Sequence, residues 1–155
     1  DPDFFGAEIV LPLGLYYHGA LVVVESNNHG GTVLSQLRGR YHNLFVRQDW
    51  NSISHSYKEE YGFRTDTRTR PRILDALARA LRENTWTPSK ALLDEMKTFV
   101  MKEDKKIEAM EGYFDDRVMA AGVALAVHFE RPVAAYPKFQ PRVVSGAVAD
   151  RWMGY

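Results

Sequence analysis

Glu111-Gly112-Tyr113-Phe114-Asp115-Asp116-Arg117-Val118-Met119, continued by the small apolar run 120–129, is the stretch from which the fold is inferred. Its apolar residues recur at spacings of four, three and four along one helical stripe, at Val118, Gly122, Leu125 and Phe129. Val123 and Val127 make the remaining faces apolar as well. The stretch therefore predicts a buried helix that begins at two adjacent carboxylates.

Asp115 and Asp116 occupy the first turn of this helix, where free backbone N–H groups and the helix dipole favour anions. A helix cap explains one carboxylate well and the second less well. Two adjacent carboxylates repel each other unless a cation lies between them, and Mg²⁺ and Mn²⁺ are held by oxygen ligands of this kind. Taken alone, the pair favours a cap over a metal site. Evidence for a metal site must therefore come from other residues of the sequence.

The composition is that of an ordinary soluble domain, with 155 residues, 45% of them hydrophobic and 26% charged. No apolar run is long enough to cross a bilayer, and the start Asp1-Pro2-Asp3 lacks the features of a signal peptide, so a cytosolic location is expected. The chain has no cysteine, which excludes disulfides, thiolate metal sites and a cysteine nucleophile. Any metal must therefore bind to oxygen or nitrogen.

The formal net charge of +0 conceals a separation of charge along the chain. Residues 38–72 hold eight Lys or Arg and four acids, whereas residues 101–116 hold six acids and three Lys. An acidic cluster that a cation could neutralise, together with a basic and aromatic segment, suits a metal-dependent enzyme that acts on a polyanion. Ordinary solvated surface charge is the commoner cause of such unevenness.

A strand–helix–strand unit is predicted near the N-terminus. Ala20–Val24 is a β-branched run without alternation, which is typical of a strand covered on both faces. The turn 26–31 leads into a helix that ends near Gly39, and a second strand follows at Asn43–Arg47. The right-handed crossover predicts parallel neighbours and hence an α/β core. Glu25 would lie at the carboxyl end of the first strand, where open α/β sheets bind ligands.

The same reasoning predicts the remaining elements. They are a short helix over residues 3–11 that Pro12 ends or kinks, an excursion or hairpin within 48–68, a helix from Thr69 to about Asn84, a helix from 87 to about Met96, a hairpin over 97–110, and a loosely ordered proline-containing tail over 131–155.

Five motifs in order then resemble one family. They are Leu21-Val22-Val23-Val24-Glu25-Ser26-Asn27-Asn28-His29-Gly30, Tyr61-Gly62-Phe63-Arg64-Thr65-Asp66, Arg70-Pro71, Leu92-Leu93-Asp94-Glu95-Met96-Lys97-Thr98-Phe99 and Gly112-Tyr113-Phe114-Asp115-Asp116-Arg117-Val118-Met119. Together they closely resemble the C-terminal nuclease domain of the large terminase subunit of tailed bacteriophages, over about residues 1–129. The resemblance implies an α/β, ribonuclease H-like (resolvase-like) mixed sheet flanked by helices, without the family's usual N-terminal strands. It implies a nuclease domain at 1–130 and a C-terminal tail at 131–155.

The resemblance also implies which acids act. Glu25 matches the family's metal-binding acid at the end of a strand, and Asp115 and Asp116 match the pair at the start of the last helix. These three would be the catalytic, metal-binding residues for two Mg²⁺ or Mn²⁺ ions. The family's third essential acid lies on a strand that would precede Asp1. Asn28 and His29 are candidates for supporting positions beside the ligands, although a helix cap and a histidine bonded to backbone are the commoner roles.

The basic segment supplies candidates for sequence-independent contacts with DNA phosphates, namely Arg64, Arg68, Arg70 and Arg72. For each of these arginines, a place on an ordinary exposed basic surface explains the residue about as well as contact with DNA does. No Ser-His-Asp signature or phosphate-binding glycine loop is present in the sequence.

The expected function is that of a metal-dependent endodeoxyribonuclease which cuts concatemeric double-stranded viral DNA during packaging. The resemblance implies a packaging ATPase domain, the portal and the small terminase subunit as partners, in the host cytoplasm, without a membrane and without secretion. Two alternatives stay open. One is a non-catalytic module that docks DNA or a partner and uses its acids only as caps, and the other is a metal-dependent resolvase or exonuclease outside packaging.

Overall fold

The computed structural model describes residues 1–84, 87–102 and 107–130. The chain forms two compact units, whose described residues are 1–65 in the first and those from Asp66 to Glu130 in the second. The predictions for the tail over 131–155 lie outside the described residues.

Helical turns open the first unit. Three segments follow one another directly: α1 at Pro2–Phe4, a π-helix at Phe5–Val10 and α2 at Leu11–Tyr16. The predicted end at Pro12 is wrong, because α2 continues to Tyr16. Pro12 lies in the first turn of α2, directly after the wider π turns, and a proline is tolerated in a first turn because it has no N–H to leave unpaired.

The predicted strand Ala20–Val24 is present only as isolated parallel bridges. Val22 pairs with Leu44, and Glu25 pairs with Phe63. The segment thus changes its partner within three residues, so no continuous ladder of hydrogen bonds forms and the residues do not become a regular strand. The parallel direction predicted for the pairing of 20–24 with 43–47 is confirmed at the Val22–Leu44 bridge, whereas the bridge between Glu25 and Phe63 was not predicted.

A helix and a hairpin complete the first unit. Helix α3 spans Gly30–Leu37, as the sequence predicts, and its buried side chains form a core, with Val33, Leu37, Tyr41 and Leu44 at the centre. Strand β1 at Val46–Asn51 pairs antiparallel with β2 at Ser56–Tyr61. This confirms the hairpin predicted within 48–68, whereas the strand predicted at Asn43–Arg47 begins later, at Val46.

The second unit follows the predicted order. Its elements are α4 at Thr69–Arg82, α5 at Lys90–Met96, the antiparallel pair β3 at Phe99–Met101 and β4 at Ile107–Ala109, and α6 at Asp116–Glu130. Ser89 caps α5 by accepting a hydrogen bond from the Leu92 N–H at 3.3 Å. Leu77, Leu92 and Val118 form the centre of the core that joins three of the helices.

Helix α6 is buried on one face only, which corrects the prediction of a helix apolar and buried all round. The buried residues are Val118, Met119, Gly122, Val123, Ala126 and Val127. Leu125 and Phe129 are half-buried, and His128 is exposed, so the buried face is rotated from the predicted stripe. The small residue Gly122 lets α4 approach closely, since a Cβ there would lie 2.5 Å from Cγ2 of Ile73.

The chain is therefore a mixed α/β protein whose described residues hold two small antiparallel sheets. Among the helices of the described residues, none combines the length and the apolar character needed to span a membrane.

Candidate functional site

A glutamate from α5 caps helix α6. Oε1 of Glu95 accepts hydrogen bonds from the backbone N–H groups of Arg117, at 2.6 Å, and Val118, at 3.1 Å. Oε2 of Glu95 accepts from Nη1 of Arg117 at 3.0 Å. These two N–H groups are the ones that an N-cap residue at position 115 would ordinarily bind. The cap that the sequence assigns to one of the adjacent aspartates is thus supplied by another helix.

The Glu95 carboxylate is held in its ionised form. Its side chain is only 7% exposed, and this burial opposes ionisation, but the N–H groups of Val118 and Arg117 and the Arg117 guanidinium outweigh it and lower the pKa of Glu95 below its ordinary value. Because the favourable contacts are all with the start of α6, Glu95 connects the packing of α5 to the position of the Asp115–Asp116 pair.

Asp115 is held by an arginine from α4. Nη2 of Arg70 lies 3.2 Å from Oδ2 of Asp115 and also donates to the carbonyl of Ile107, at 2.8 Å, while Nε of Arg70 lies 3.3 Å from the same carbonyl. Asp115 and Arg70 are both half-buried. The guanidinium therefore bridges the end of β3–β4 and the start of α6, and it compensates one carboxylate of the pair.

Asp116 has a different environment from its neighbour. It is exposed, and its carboxylate makes no hydrogen bond or ion pair with any residue that the structure describes. The Arg70 guanidinium thus holds the carboxylate of Asp115 in place, whereas the carboxylate of Asp116 has no partner among the described residues.

Glu25 lies in the first unit, at the second of the two parallel bridges. Its side chain is exposed and has no hydrogen-bonding or ionic partner within residues 1–84, 87–102 and 107–130. The backbone here is tightly constrained, because a Cβ on Gly30 would lie 1.6 Å from the Glu25 carbonyl oxygen. The turn into α3 therefore requires glycine at position 30 and fixes where the Glu25 side chain emerges.

The turn residues after Glu25 have structural roles. The side-chain amide of Asn27 donates to the Thr65 carbonyl at 2.7 Å, so it does not cap α3 as its position suggests. Asn28 is exposed with a φ of +48°, a left-handed conformation that asparagine tolerates better than most residues. His29 directly precedes α3, is exposed, and accepts a hydrogen bond from the Val33 N–H through its backbone carbonyl.

The four predicted DNA-binding arginines have different surroundings. Arg64 belongs to the first unit and lines a groove there. Arg68 is exposed immediately before α4, and Arg72 pairs with Glu130. Arg70 uses its guanidinium for the internal contacts with Ile107 and Asp115 described above.

Sequence reasoning missed three further cations in that groove. Arg38, Arg47 and Lys58 line it together with Arg64, and its volume is about 660 Å³. All four fall within the basic segment 38–72, so the local excess of positive charge was the signal. Their convergence could not be read from the sequence, because it depends on how the β1–β2 hairpin lies against α3.

Within the described part of either unit, no three or more histidine, aspartate or glutamate side chains are grouped so that they could hold a metal ion. Compared with known proteins, the chain matches no protein-family model, no curated protein and no solved structure.

Proposed function

We propose that the chain is a metal-dependent endonuclease domain of ribonuclease H-like type, similar to the nuclease of phage terminase large subunits. In this proposal Glu25, Asp115 and Asp116 bind Mg²⁺ or Mn²⁺, with two ions expected, and the substrate is double-stranded DNA. The terminase role adds concatemeric viral DNA as substrate, the host cytoplasm as location, and a packaging ATPase domain, the portal and the small subunit as partners.

The observation that carries the proposal is the capping of α6 by Glu95. Once Glu95 has bound the N–H groups of Arg117 and Val118, neither Asp115 nor Asp116 is needed as a cap. Asp115 pairs with Arg70, but Asp116 has neither a capping role nor an ionic partner among the described residues, so the pair has carboxylate oxygens available for a ligand. A hard divalent cation is the ligand that suits such carboxylate oxygens best.

The donor set fits such a cation chemically. Glu25 and Asp116 are exposed and unpartnered among the described residues, and Asp115 has one oxygen, Oδ1, outside its contact with Arg70. When bound, two divalent ions in a site of this kind assist phosphodiester hydrolysis by activating a water and stabilising the leaving oxygen. The protein's part is to hold the carboxylates in position, which the contacts of Glu95 and Arg70 do for the pair on α6.

A second candidate is a non-catalytic module that docks DNA. It is supported by the groove of the first unit, which four cations line and which needs no metal ion to attract an anion. The two candidates differ in metal dependence, since a docking module binds DNA equally well with or without a divalent ion.

The test is plasmid nicking and linearisation in Mn²⁺, Mg²⁺ or EDTA, using the longest natural form of the protein. We expect cleavage that requires the metal and falls by about a hundredfold or more in Asp115→Asn and in Glu25→Gln. Asp75→Asn is the matched control, because Asp75 is an exposed aspartate on α4 without a partner among the described residues.

Metal-independent cleavage, or equal losses in Asp75→Asn and Asp115→Asn, would exclude the proposed carboxylate chemistry. DNA binding without cleavage under any of the three conditions would favour the docking module. Preference for branched over linear DNA among active preparations would point to a resolvase outside packaging.

A further inference from the structure

The groove in the first unit lies between one side of α3 and the β1–β2 hairpin. Arg38, Arg47, Lys58 and Arg64 contribute four positive charges to its lining, against two negative charges from acids on β2. Its volume of about 660 Å³ lies within the range of about 300–1,000 Å³ that is usual for sites of small ligands. The lining is polar and carries a net positive charge, so it suits an anion.

Arg38 is the cation best prepared to bind a ligand. Its guanidinium carbon lies over the Tyr61 ring, 4.6 Å from the ring centre, which is a cation–π contact. Arg38 is exposed, and its side-chain N–H groups donate to no acceptor within the described residues. A guanidinium that an aromatic ring holds in place while its N–H groups stay unused is suited to bind a phosphate through two parallel hydrogen bonds.

Arg47 holds the groove in shape. Its Nη1 donates to the carbonyls of Tyr61, at 3.1 Å, and Gly62, at 2.9 Å, and lies 3.3 Å from Oγ of Ser26. Its Nε pairs with Asp49 at 2.9 Å. These contacts fix β1 to the end of β2 and to the turn after Glu25, so they position the Tyr61 ring on which Arg38 stacks.

The acids of the lining have different effects. Glu60 pairs with Lys58, and that contact, reinforced by the charges of Arg47 and Arg38, lowers the pKa of Glu60 below its ordinary value. Its negative charge is thus compensated inside the groove. Glu59 is exposed, has no such partner among the described residues, and would oppose an anionic ligand.

We propose that this groove binds the phosphates of a nucleic-acid strand, with Arg38, stacked on Tyr61, as the principal phosphate contact. The inference rests on the proposed function in naming DNA as the ligand, but it concerns binding rather than cleavage. Cations from several separate stretches of the chain line one groove, which suits a chain of phosphates better than a single phosphate ion. The sequence leads directly from Glu25 into this lining, through Ser26.

The test is fluorescence anisotropy of a labelled DNA duplex and a labelled single strand in EDTA at several salt concentrations, so that no cleavage occurs. Arg38→Ala should weaken binding about tenfold at low salt and reduce the salt dependence by about one phosphate contact. Arg40→Ala is the matched control, because Arg40 is an exposed arginine two residues away that does not line the groove. It should change the affinity less than about twofold.

Two further variants separate the chemistry from effects on folding. Arg38→Lys keeps the positive charge but cannot form a bidentate pair of hydrogen bonds with a phosphate. We therefore expect it to recover only part of the affinity that Arg38→Ala loses. Glu59→Gln removes the opposing charge without touching Arg38 and should strengthen binding by about twofold to fivefold. Circular dichroism and thermal unfolding of each variant exclude a loss of structure as the cause.

Equal weakening by Arg38→Ala and Arg40→Ala would overturn the inference, since only general charge would then matter. So would displacement of the DNA by micromolar inorganic phosphate or mononucleotide, which would show a site for a small anion. If Arg38-dependent binding is found but no metal-dependent cleavage, the proposed nuclease function fails while this inference stands. If cleavage is found without any dependence on Arg38, only this inference fails.

Discussion

The carboxylate of Glu95 decides how the start of α6 is interpreted. From the sequence alone, an aspartate next to a helix start is expected to serve as its cap. Glu95 instead reaches from α5 to the N–H groups of Arg117 and Val118, and it pairs with the Arg117 guanidinium. A single side chain from another helix therefore takes the capping role that the sequence assigns to Asp115 or Asp116.

Removing this cap should destabilise the second unit. Glu95→Ala leaves two N–H groups of α6 without their partner, so we expect the free energy of unfolding to fall by about 1–2 kcal/mol in urea denaturation. Asp94→Ala is the control, because Asp94 pairs only with the exposed Lys90 and Lys97 on the surface, contacts typically worth less than about 1 kcal/mol. Equal losses of unfolding free energy in the two variants would show that the Glu95 contacts stabilise the protein no more than a surface ion pair does.

The same carboxylate gives a pH dependence with a definite sign. The pKa of Glu95 is lowered in the folded protein from an ordinary value of 4.5. Its contribution to stability is therefore fully present above that ordinary value and is lost as the pH falls through the lower pKa of the folded state. Urea denaturation between about pH 6 and about pH 3 should show a smaller decline for Glu95→Gln than for the wild type. Parallel curves would contradict this assignment.

Arg70 and Arg72 lie two residues apart on α4 and should respond differently to truncation. Arg70→Ala removes the donors to the Ile107 carbonyl and to Asp115 in a half-buried setting, so we expect a loss of about 1.5–3 kcal/mol of unfolding free energy. Arg72→Ala removes one exposed pair with Glu130 and should cost less than about 1 kcal/mol. The measurement is urea denaturation of both variants, and the reverse order would refute the anchoring role of Arg70.

At the scale of elements, local signals predicted the helices better than the strands. Helix α4 was readable because Thr69 and Pro71 mark its start and apolar residues follow at helical spacing, and α5 because Ser89 caps it. The β-branched run 20–24 was misread, because a regular strand requires a continuous neighbour and this segment changes partners between Leu44 and Phe63.

The candidate site was predictable only in part, for a related reason. Glu25 and the aspartate pair are predicted as metal ligands because they match the motifs of the resembled family after a β-branched run and at a helix start, and that role stays a prediction. The role of Glu95 and the stacking of Arg38 on Tyr61 were not found, because each joins residues 22 or more positions apart through tertiary packing. No periodicity within a single element carries that information.

The entry into α3 gives a prediction with an adjacent control. A Cβ at Gly30 would lie 1.6 Å from the Glu25 carbonyl oxygen, whereas a Cβ at Gly31 meets no atom within 4 Å. Gly30→Ala should therefore displace the turn after Glu25 and destabilise the first unit by more than about 3 kcal/mol. Gly31→Ala should be neutral or stabilising by up to about 1 kcal/mol, because alanine favours a helix. The measurement is thermal unfolding of both variants. Similar unfolding midpoints for Gly30→Ala and Gly31→Ala would contradict the close approach of residue 30 to the Glu25 carbonyl oxygen.

For the whole molecule, the proposed function assigns two carboxylates that are distant in sequence, those of Glu25 and Asp115, to one metal-dependent reaction. Ligands that serve the same ions act as a unit, so removing a second ligand adds little once the first is lost. Cleavage rates in Mn²⁺ should fall by about a hundredfold or more in Glu25→Gln and in Asp115→Asn, but the double variant should lose no more than about tenfold beyond the slower single one.

The double variant Glu25→Gln with Asp75→Asn is the control for charge in this double-mutant cycle. Because Asp75 has no proposed role in the reaction, the fold-losses in cleavage rate of the two single variants should multiply in that double variant. If the losses of Glu25→Gln and Asp115→Asn also multiply, the two carboxylates act in separate steps and a shared metal centre is excluded. If they do not multiply while the control pair does, the two carboxylates contribute to one step of the reaction, as the proposed metal-dependent mechanism requires.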